Sequence, residues 1–358
     1  MNSHLHPKAA KKPARGRKTI LAPHALAAIL AMTWAALAFP AAAADDATFE
    51  NVRAADTVIA RIGYRLATAN ASLCDRLQPG LGLVLQTPGQ YESGVREEAI
   101  RHFHMDGPIS VEAVLPDSPA AAAGIKADDT ILSMGTVQFA PADTSAKAST
   151  RRLIAATARI AALPADAPME IRGRRNGVDY VRTVKPVPAC RTRFEMQISS
   201  GFSAQSDGEM VQVSSRFFTD YPEDQAASVL AHEFAHNILH HRERMEKMGL
   251  SFGMLSGFGR NVRYFRETEL QADILSISLL ANAGYDPEAA VRLWRAFGPS
   301  HAGGILLSRS HPAWKDRVAT MEKAIADLGT RRPNHPAVLA TLDKPLDGDW
   351  KALLVKAR

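Results

Sequence analysis

Two histidines four residues apart with a glutamate beside the first, His232-Glu233-Phe234-Ala235-His236, are the densest piece of potential chemistry in the chain. Their surroundings predict a helix. Pro222, Glu223 and Asp224 suit a helix start, no Gly or Pro intervenes between Ala226 and Gly249, and Val229, Leu230, Phe234, Ile238 and Leu239 recur at helical spacing. On such a helix both imidazoles leave from one face and can hold one ion, while Glu233 reaches a water on that ion without ligating it. That is the pattern of a zinc hydrolase centre. The competing reading is a chance match on a His-rich helix, because His240 and His241 follow directly. A third ligand separates the two. Arg266 to Ala281 predicts a second helix on Leu270, Ile274, Leu275, Ile277 and Leu279, and within it Glu269 and Asp273 share a face. A catalytic zinc takes three protein ligands and leaves the fourth position for water, so Glu269 is the candidate third ligand. Asp273 is placed to accept a hydrogen bond from a ligand histidine and fix its ring. Glu267, on nearly the opposite side of that helix, is the alternative ligand.

Ala227 to His236 followed by Glu269-Leu270-Gln271-Ala272-Asp273 resembles the gluzincin metallopeptidases of the CAAX prenyl protease and Oma type. In that family the third ligand is the Glu of a Glu-x-x-Ala-Asp motif, which maps onto Glu269. The metzincin pattern fails, since Leu239 and Arg242 stand where it needs Gly and a third His. Ser200 to Val213 is similar to the strand pair preceding the family's active helix, and Gly284-Tyr285-Asp286-Pro287 and His311-Pro312 with Arg317 fall in the family's order. The resemblance covers most of residues 195–325. It implies one Zn2+ per chain, held by His232, His236 and Glu269, with Glu233 as general base in peptide-bond hydrolysis. It also implies that the strand around Val211 to Ser215 takes substrate as an added β-strand, and that His311 and Arg317 sit over the active site. From that position His311 could close the cleft as a fourth zinc ligand until substrate displaces it. A His-Pro pair also serves simply as a helix start.

The elements that position these residues point to an α+β fold, a mainly helical zincin-like metallopeptidase domain with a small β-sheet, interrupted by a β-rich PDZ-like domain. Val58 to Ser72 predicts the helix that opens the peptidase domain (45–77), yet the strand that should follow begins only near Phe194. Residues 78–188 lie between. There Gly80-Leu81-Gly82-Leu83, the strand from Ile109, the Ser118-Pro119-Ala120 helix start, Ala123-Gly124 and Asp129-Thr130-Ile131-Leu132 resemble a PDZ domain, closest to those following bacterial high-temperature-requirement serine proteases. The resemblance implies that Gly80, Leu81, Gly82 and Leu83 form a carboxylate-binding loop that captures peptide C-termini. Arg151 to Ala162 would then line the groove, with Met169 to Arg172 and Tyr180 to Val187 as closing strands. A small β-rich domain without peptide binding is the alternative, and Gln90 to His104 has no reading. The peptidase domain resumes over 189–330, with helices at Pro287 to Phe297 and Ala313 to Leu328, loops at Leu250 to Phe258 and Gly298 to Ser310, and a tail, 331–358, that carries no functional signal.

Residues 1–44 hold six basic side chains and no acid, then the apolar run Ala25 to Phe39 and an Ala42-x-Ala44 pattern before Asp45. This reads as a cleaved signal peptide and gives a periplasmic expectation, since about 15 apolar residues fall short of the roughly 20 that a membrane span needs. No second stretch reaches membrane length. Those six bases equal the chain's whole formal charge of +6, so its basicity does not imply a nucleic-acid partner. In an oxidising compartment the two cysteines, Cys74 and Cys190, predict a disulfide that pins the ends of the insert. The expected partners are protein or peptide substrates, in part through their C-termini. Two rival readings are a PDZ-centred adaptor or chaperone with an idle metal centre, and a structural zinc domain.

Overall fold

A computed structural model of the chain describes residues 46–141, 144, 147–250, 261–301 and 311–357. The expected signal peptide, the loop expected at Leu250 to Phe258 beyond its first residue, and residues 302–310 of the loop before His311 lie outside them. No described helix is long and apolar enough to cross a membrane.

The chain begins with α1 (Asp46–Ala69), longer at its start than the Val58–Ser72 expected. Ile59, Ile62 and Leu66 bury one face of it in the main core, and Phe49, near its start, enters a separate aromatic cluster. After a single turn at Ala71–Leu73, β1 (Leu77–Gly80) begins. The next elements are β2 (Leu83–Gln86), α2 (Ser93–His102), β3 (Ile109–Val114), α3 (Pro119–Ala122), β4 (Thr130–Met134), β5 (Val137–Gln138), α4 (Arg151–Ala161), β6 (Met169–Arg175), β7 (Val178–Val184) and β8 (Val187–Cys190). An antiparallel sheet runs β2-β3-β4-β6-β7, with β5 on β4. It has its own core, in which Ile109, Val111, Ile131, Met134 and Ile171 pack against Ile160 of α4.

Both ends of this segment are clamped. β1 and β8 form an antiparallel ribbon with Leu77 opposite Cys190, and Cys74 is disulfide-bonded to Cys190 across a Cα separation of 5.6 Å. The unread stretch Gln90–His104 is largely α2, and its purpose is packing. Phe103 is fully buried against Phe49 and Tyr91, and His102 lies 2.8 Å from Asp46 and 2.7 Å from Glu50 of α1. The alternation of β3 sends Ile109 and Val111 into the core and leaves Ser110 and Glu112 on the other face, where Glu112 meets Arg53 and Asp56.

The remaining chain builds the main core. β9 (Arg193–Gln197), β10 (Ala204–Ser206) and β11 (Met210–Ser214) form a sheet in the order β10-β11-β9. α5 (Ser215–Asp220), α6 (Glu223–Ile238), α7 (His241–Lys247), α8 (Val262–Asn282) and α9 (Glu288–His301) follow, then a helix at Trp314–Ala326 and short turns at Ala337–Thr341 and Trp350–Leu353. α6 and α8 cross at the centre, with Leu230, Phe234, Leu275 and Leu279 buried between them and the sheet. Two expectations need correction. α9 continues through Pro299 to His301 instead of ending at Phe297, because the His301 ring stacks on Phe297 at 4.5 Å. β11 is flanked on both sides, antiparallel by β10 and parallel by β9, and Ser215 already belongs to α5. No strand can be added to β11; the edge strands are β9 and β10, and of these β10 borders the cleft described below.

Burial, reinforced by Asp56 and only partly offset by Arg53, lifts the Glu112 carboxyl to about 8 from its ordinary 4.5. Between those values the folded chain holds more proton than the unfolded one, so stability falls as pH rises through that window. Glu112→Gln should therefore flatten the decline between pH 5 and pH 9, which amounts to on the order of 1–4 kcal/mol in the parent chain. Denaturant titrations at several pH values check this, and parallel slopes for parent and variant would contradict it.

Candidate metal centre

α6 starts after Pro222 with Glu223 and Asp224 in its first turn, where carboxylates suit the helix dipole. Two turns on, His232 and His236 come off one face with their Nε2 atoms 3.2 Å apart. α8 crosses this face and brings Glu269 up to both. Its Oε2 lies 3.5 Å from His232 Nε2 and its Oε1 3.6 Å from His236 Nε2. Ligand atoms about 2.0–2.1 Å from a tetrahedral zinc stand about 3.3 Å apart, which the three measured separations approach. These three residues are the one His/Cys/Asp/Glu group among the described residues that can hold a metal ion. Two imidazole nitrogens and a carboxylate oxygen, with no fourth protein ligand in that group, fit a catalytic zinc site.

A layer of charge supports the three. Asp273 Oδ1 stands 3.1 Å from His232 Nδ1. Arg317, 3% exposed, donates to both Asp273 oxygens at 2.7 Å, approaches Glu269 Oε2 at 3.3 Å, and covers the Trp294 ring at 4.1 Å. Burial alone would raise both carboxyls. His311, His232 and Arg317 instead hold Glu269 well below the usual carboxylate range, and Arg317 with His232 lowers Asp273. Burial likewise disfavours the His232 cation, yet its hydrogen bonds to Asp273 and Glu269 carry the ring up to about 10. Burial dominates at His236 and pushes it down to about 3. A metal ion arriving here displaces the His232 proton, because only neutral imidazole ligates.

Glu233 stands outside the ligand group. It accepts a hydrogen bond from Ser206 Oγ at 3.1 Å, and burial with the nearby Glu269 charge raises its carboxyl despite His232. That contact comes from β10, whose turn is locked to α6. Gly208 N donates to Asn237 Oδ1 at 2.8 Å, and Asn237 Nδ2 donates to the Met210 carbonyl at 3.2 Å. β10 therefore runs along a cleft of about 830 Å³ that holds the metal group and an apolar wall of Phe202, Phe217, Trp294 and Phe297. His311 also lines this cleft, with Nε2 3.5 Å from Glu269 Oε2, but it is not one of the three clustered ligands.

The alternative ligand, Glu267, is buried on the far side of α8, where it bonds Gln271 and the backbone of Gly348. It faces away from the metal group. Sequence spacing also missed His241, whose Nδ1 lies 2.8 Å from His236 Nδ1. On one continuous helix His236 and His241 would point in different directions. The left-handed His240, φ +49°, breaks the helix and turns His241 back, and no periodicity announces that break. Ser206 was hidden similarly, within a strand too short to show a pattern.

Of the four residues expected to bind peptide C-termini, Gly80 ends β1, Leu83 begins β2 and Leu81 is buried. Gly82 is held at φ +73° so close to Ser118 that a Cβ there would meet its side chain at 2.2 Å. The loop borders a second cavity of about 530 Å³ between β2 and Leu153, Thr157 and Ala161 of α4, with α1 and β9 closing one side.

Residues 261–325 match the sequence profile of Peptidase family M48. That span carries Glu269, Asp273 and Arg317 but not the α6 histidines. The chain is also 25% identical over 131 residues to the mitochondrial metalloendopeptidase OMA1 of Schizosaccharomyces pombe, an alignment covering 31% of this chain and 39% of that protein. The chain thus spans well under two thirds of this relative's length. Both similarities fall to metallopeptidases, the class that the His-His-Glu group itself suggests.

Replacing Glu269 removes the only ligand from α8. Glu269→Ala should retain far less than one zinc per chain after dialysis against trace-metal-free buffer, as elemental analysis reads it. Full occupancy in that variant would move the third ligand elsewhere.

Proposed function

We propose that this chain is a zinc-dependent endopeptidase acting on protein or peptide substrates in the periplasm. The observation that carries the reading is a base beside three ligands. His232, His236 and Glu269 converge as a zinc triad while Glu233 stays out of it, hydrogen-bonded from Ser206 at the mouth of a cleft. Zinc, when bound, supplies a Lewis acid that polarises the scissile carbonyl and acidifies the attacking water. Glu233 takes the proton of that water, for which its raised affinity for protons suits it, and delivers it to the nitrogen of the departing amine. Asp273 accepts from His232 Nδ1 and keeps its Nε2 lone pair on the ligand group. β10, the edge strand of its sheet that borders the cleft, offers backbone groups to an extended substrate, which would pair with it as a further strand.

The insert reads as a PDZ-like module. The sheet order, α4 beside the edge strand β2, and the Gly82 turn support that reading, and the cavity between β2 and α4 would take the C-terminal residues of a peptide. Clamped by the β1–β8 ribbon and the disulfide, the insert would raise the local substrate concentration without contacting the zinc. The disulfide and the leader-like residues 1–44 support export. An adaptor with an idle metal centre is the second reading; the intact Glu233 and its Ser206 partner favour the enzyme. A structural zinc site would want four protein ligands.

Glu233→Gln should keep about one zinc per chain and cleave casein about 10²–10⁴-fold more slowly. Wild-type rates in this variant would overturn the mechanism, and zinc uptake without cleavage by the parent chain would favour the adaptor. The same slow variant should bind a peptide with a free C-terminus more tightly than its amidated twin. Equal binding would remove the peptide-capture role of the insert.

A further inference from the structure

The buried hydrogen bonds behind His236 run in one direction, and a single arginine determines which. Arg244 is a donor only, and its Nη1 reaches Gln271 Oε1 at 3.3 Å. The Gln271 amide is therefore held with its oxygen toward Arg244 and its Nε2 toward Glu267 Oε1, at 3.0 Å. The same Gln271 oxygen lies 3.0 Å from His241 Nε2, which must then carry a proton. A neutral His241 protonated there has a bare Nδ1. That atom, 2.8 Å from His236 Nδ1, can only accept, so His236 carries its own proton on Nδ1. His236 Nε2 is left with its lone pair facing Glu269 and His232. Relative exposures of 2% for His241, 2% for Gln271, 4% for Glu267 and 7% for Arg244 leave little room for water to reverse the sequence.

The far end of the relay is the C-terminal segment. Glu267 Oε2 accepts from Gly348 N at 2.7 Å, and Arg244 Nε donates to the Lys344 carbonyl at 3.0 Å. Gly348 sits at φ +77° with Arg263 packed where a Cβ would stand, at 2.5 Å, so a side chain there would push the backbone off Glu267.

We propose that His241, Gln271, Glu267 and Arg244 are positioning residues that hold His236 in its metal-binding tautomer, with the segment Lys344–Gly348 anchoring their outer end. This rests on the zinc reading given above. His232 is oriented by a carboxylate, and His236 by an uncharged imidazole and amide that reach a carboxylate only at the third step. The tail thereby belongs to the metal centre although it lies behind it.

The test compares the full chain with His241→Phe, which keeps an aromatic ring without an acceptor, and His241→Asn, whose Oδ1 can accept from His236 Nδ1. Zinc affinity is read by chelator competition, and the imidazole N–H signals by proton–nitrogen spectra of histidine-labelled, zinc-free protein. The Phe variant should lose one hydrogen-bonded Nδ1–H signal and bind zinc about 10–100-fold more weakly, with Asn recovering most of the loss. Glu267→Gln, distant from the ligands, should weaken zinc in the same direction and provides a reading where the Phe variant does not fold. Parent-like affinity in the Phe and Glu267→Gln variants, or equal loss for Phe and Asn, would overturn the proposal. A parent chain that takes up no zinc counts against the proposed function instead, and the Nδ1–H signal in the same samples still decides the relay.

Discussion

A buried arginine between two carboxylates is the constraint on which the site depends. Arg317 is out of solvent with Asp273 and against Glu269, and removing any one of the three would leave charge uncompensated in a medium that solvates it poorly. The pair links α8 to the helix Trp314–Ala326, and Trp294 of α9 covers the guanidinium. Three helices are thus brought into register by one cation. The same cation keeps Asp273 ionised, so that His232 has an acceptor on Nδ1, and it holds down the pKa of the Glu269 carboxyl. Stability and ligand orientation at this centre come from the same contacts.

The two histidines solve one problem with different means. His232 meets an ionised carboxylate directly, which makes its ring basic; His236 meets the side chain of His241, and burial keeps its ring neutral. Glu233 is governed separately, from the sheet side, through Ser206 and the Asn237 clasp that ties the β10–β11 turn to α6. Helices supply the three clustered side chains, and the sheet holds Glu233 in place and lends β10 to the cleft. Behind the sheet, α1 joins the main core to the insert, with the Cys74–Cys190 bridge at one end of the join and the Phe49–Phe103 aromatic cluster at the other.

What the sequence made legible follows the helical period. His232 with His236, and Glu269 with Asp273, are four apart on helices long and apolar enough to declare themselves, and the cysteine pair was readable from its count and context. What it hid depends on tertiary choices. Which strand lies at an edge is a matter of pairing, and nothing in the residues of β11 shows that β10 and β9 flank it on both sides. Glu267 offers the same chemistry as Glu269, and only the crossing of α6 and α8 decides which faces the histidines. The helix break at His240 has no Gly or Pro to mark it, and the tail's contribution comes through backbone groups of Lys344 and Gly348, which side-chain patterns do not show. The polar segment Gln90–His104 had no reading because its partners, Phe49, Asp46 and Glu50, are far away in sequence.

Zinc K-edge absorption on the purified chain loaded with one equivalent of zinc tests the central claim most directly. The account predicts four light ligands near 2.0–2.1 Å, two of them with the outer-shell scattering of imidazole and none of them sulfur. A sulfur shell near 2.3 Å, a third imidazole in place of the carboxylate, or failure to take up zinc would contradict it.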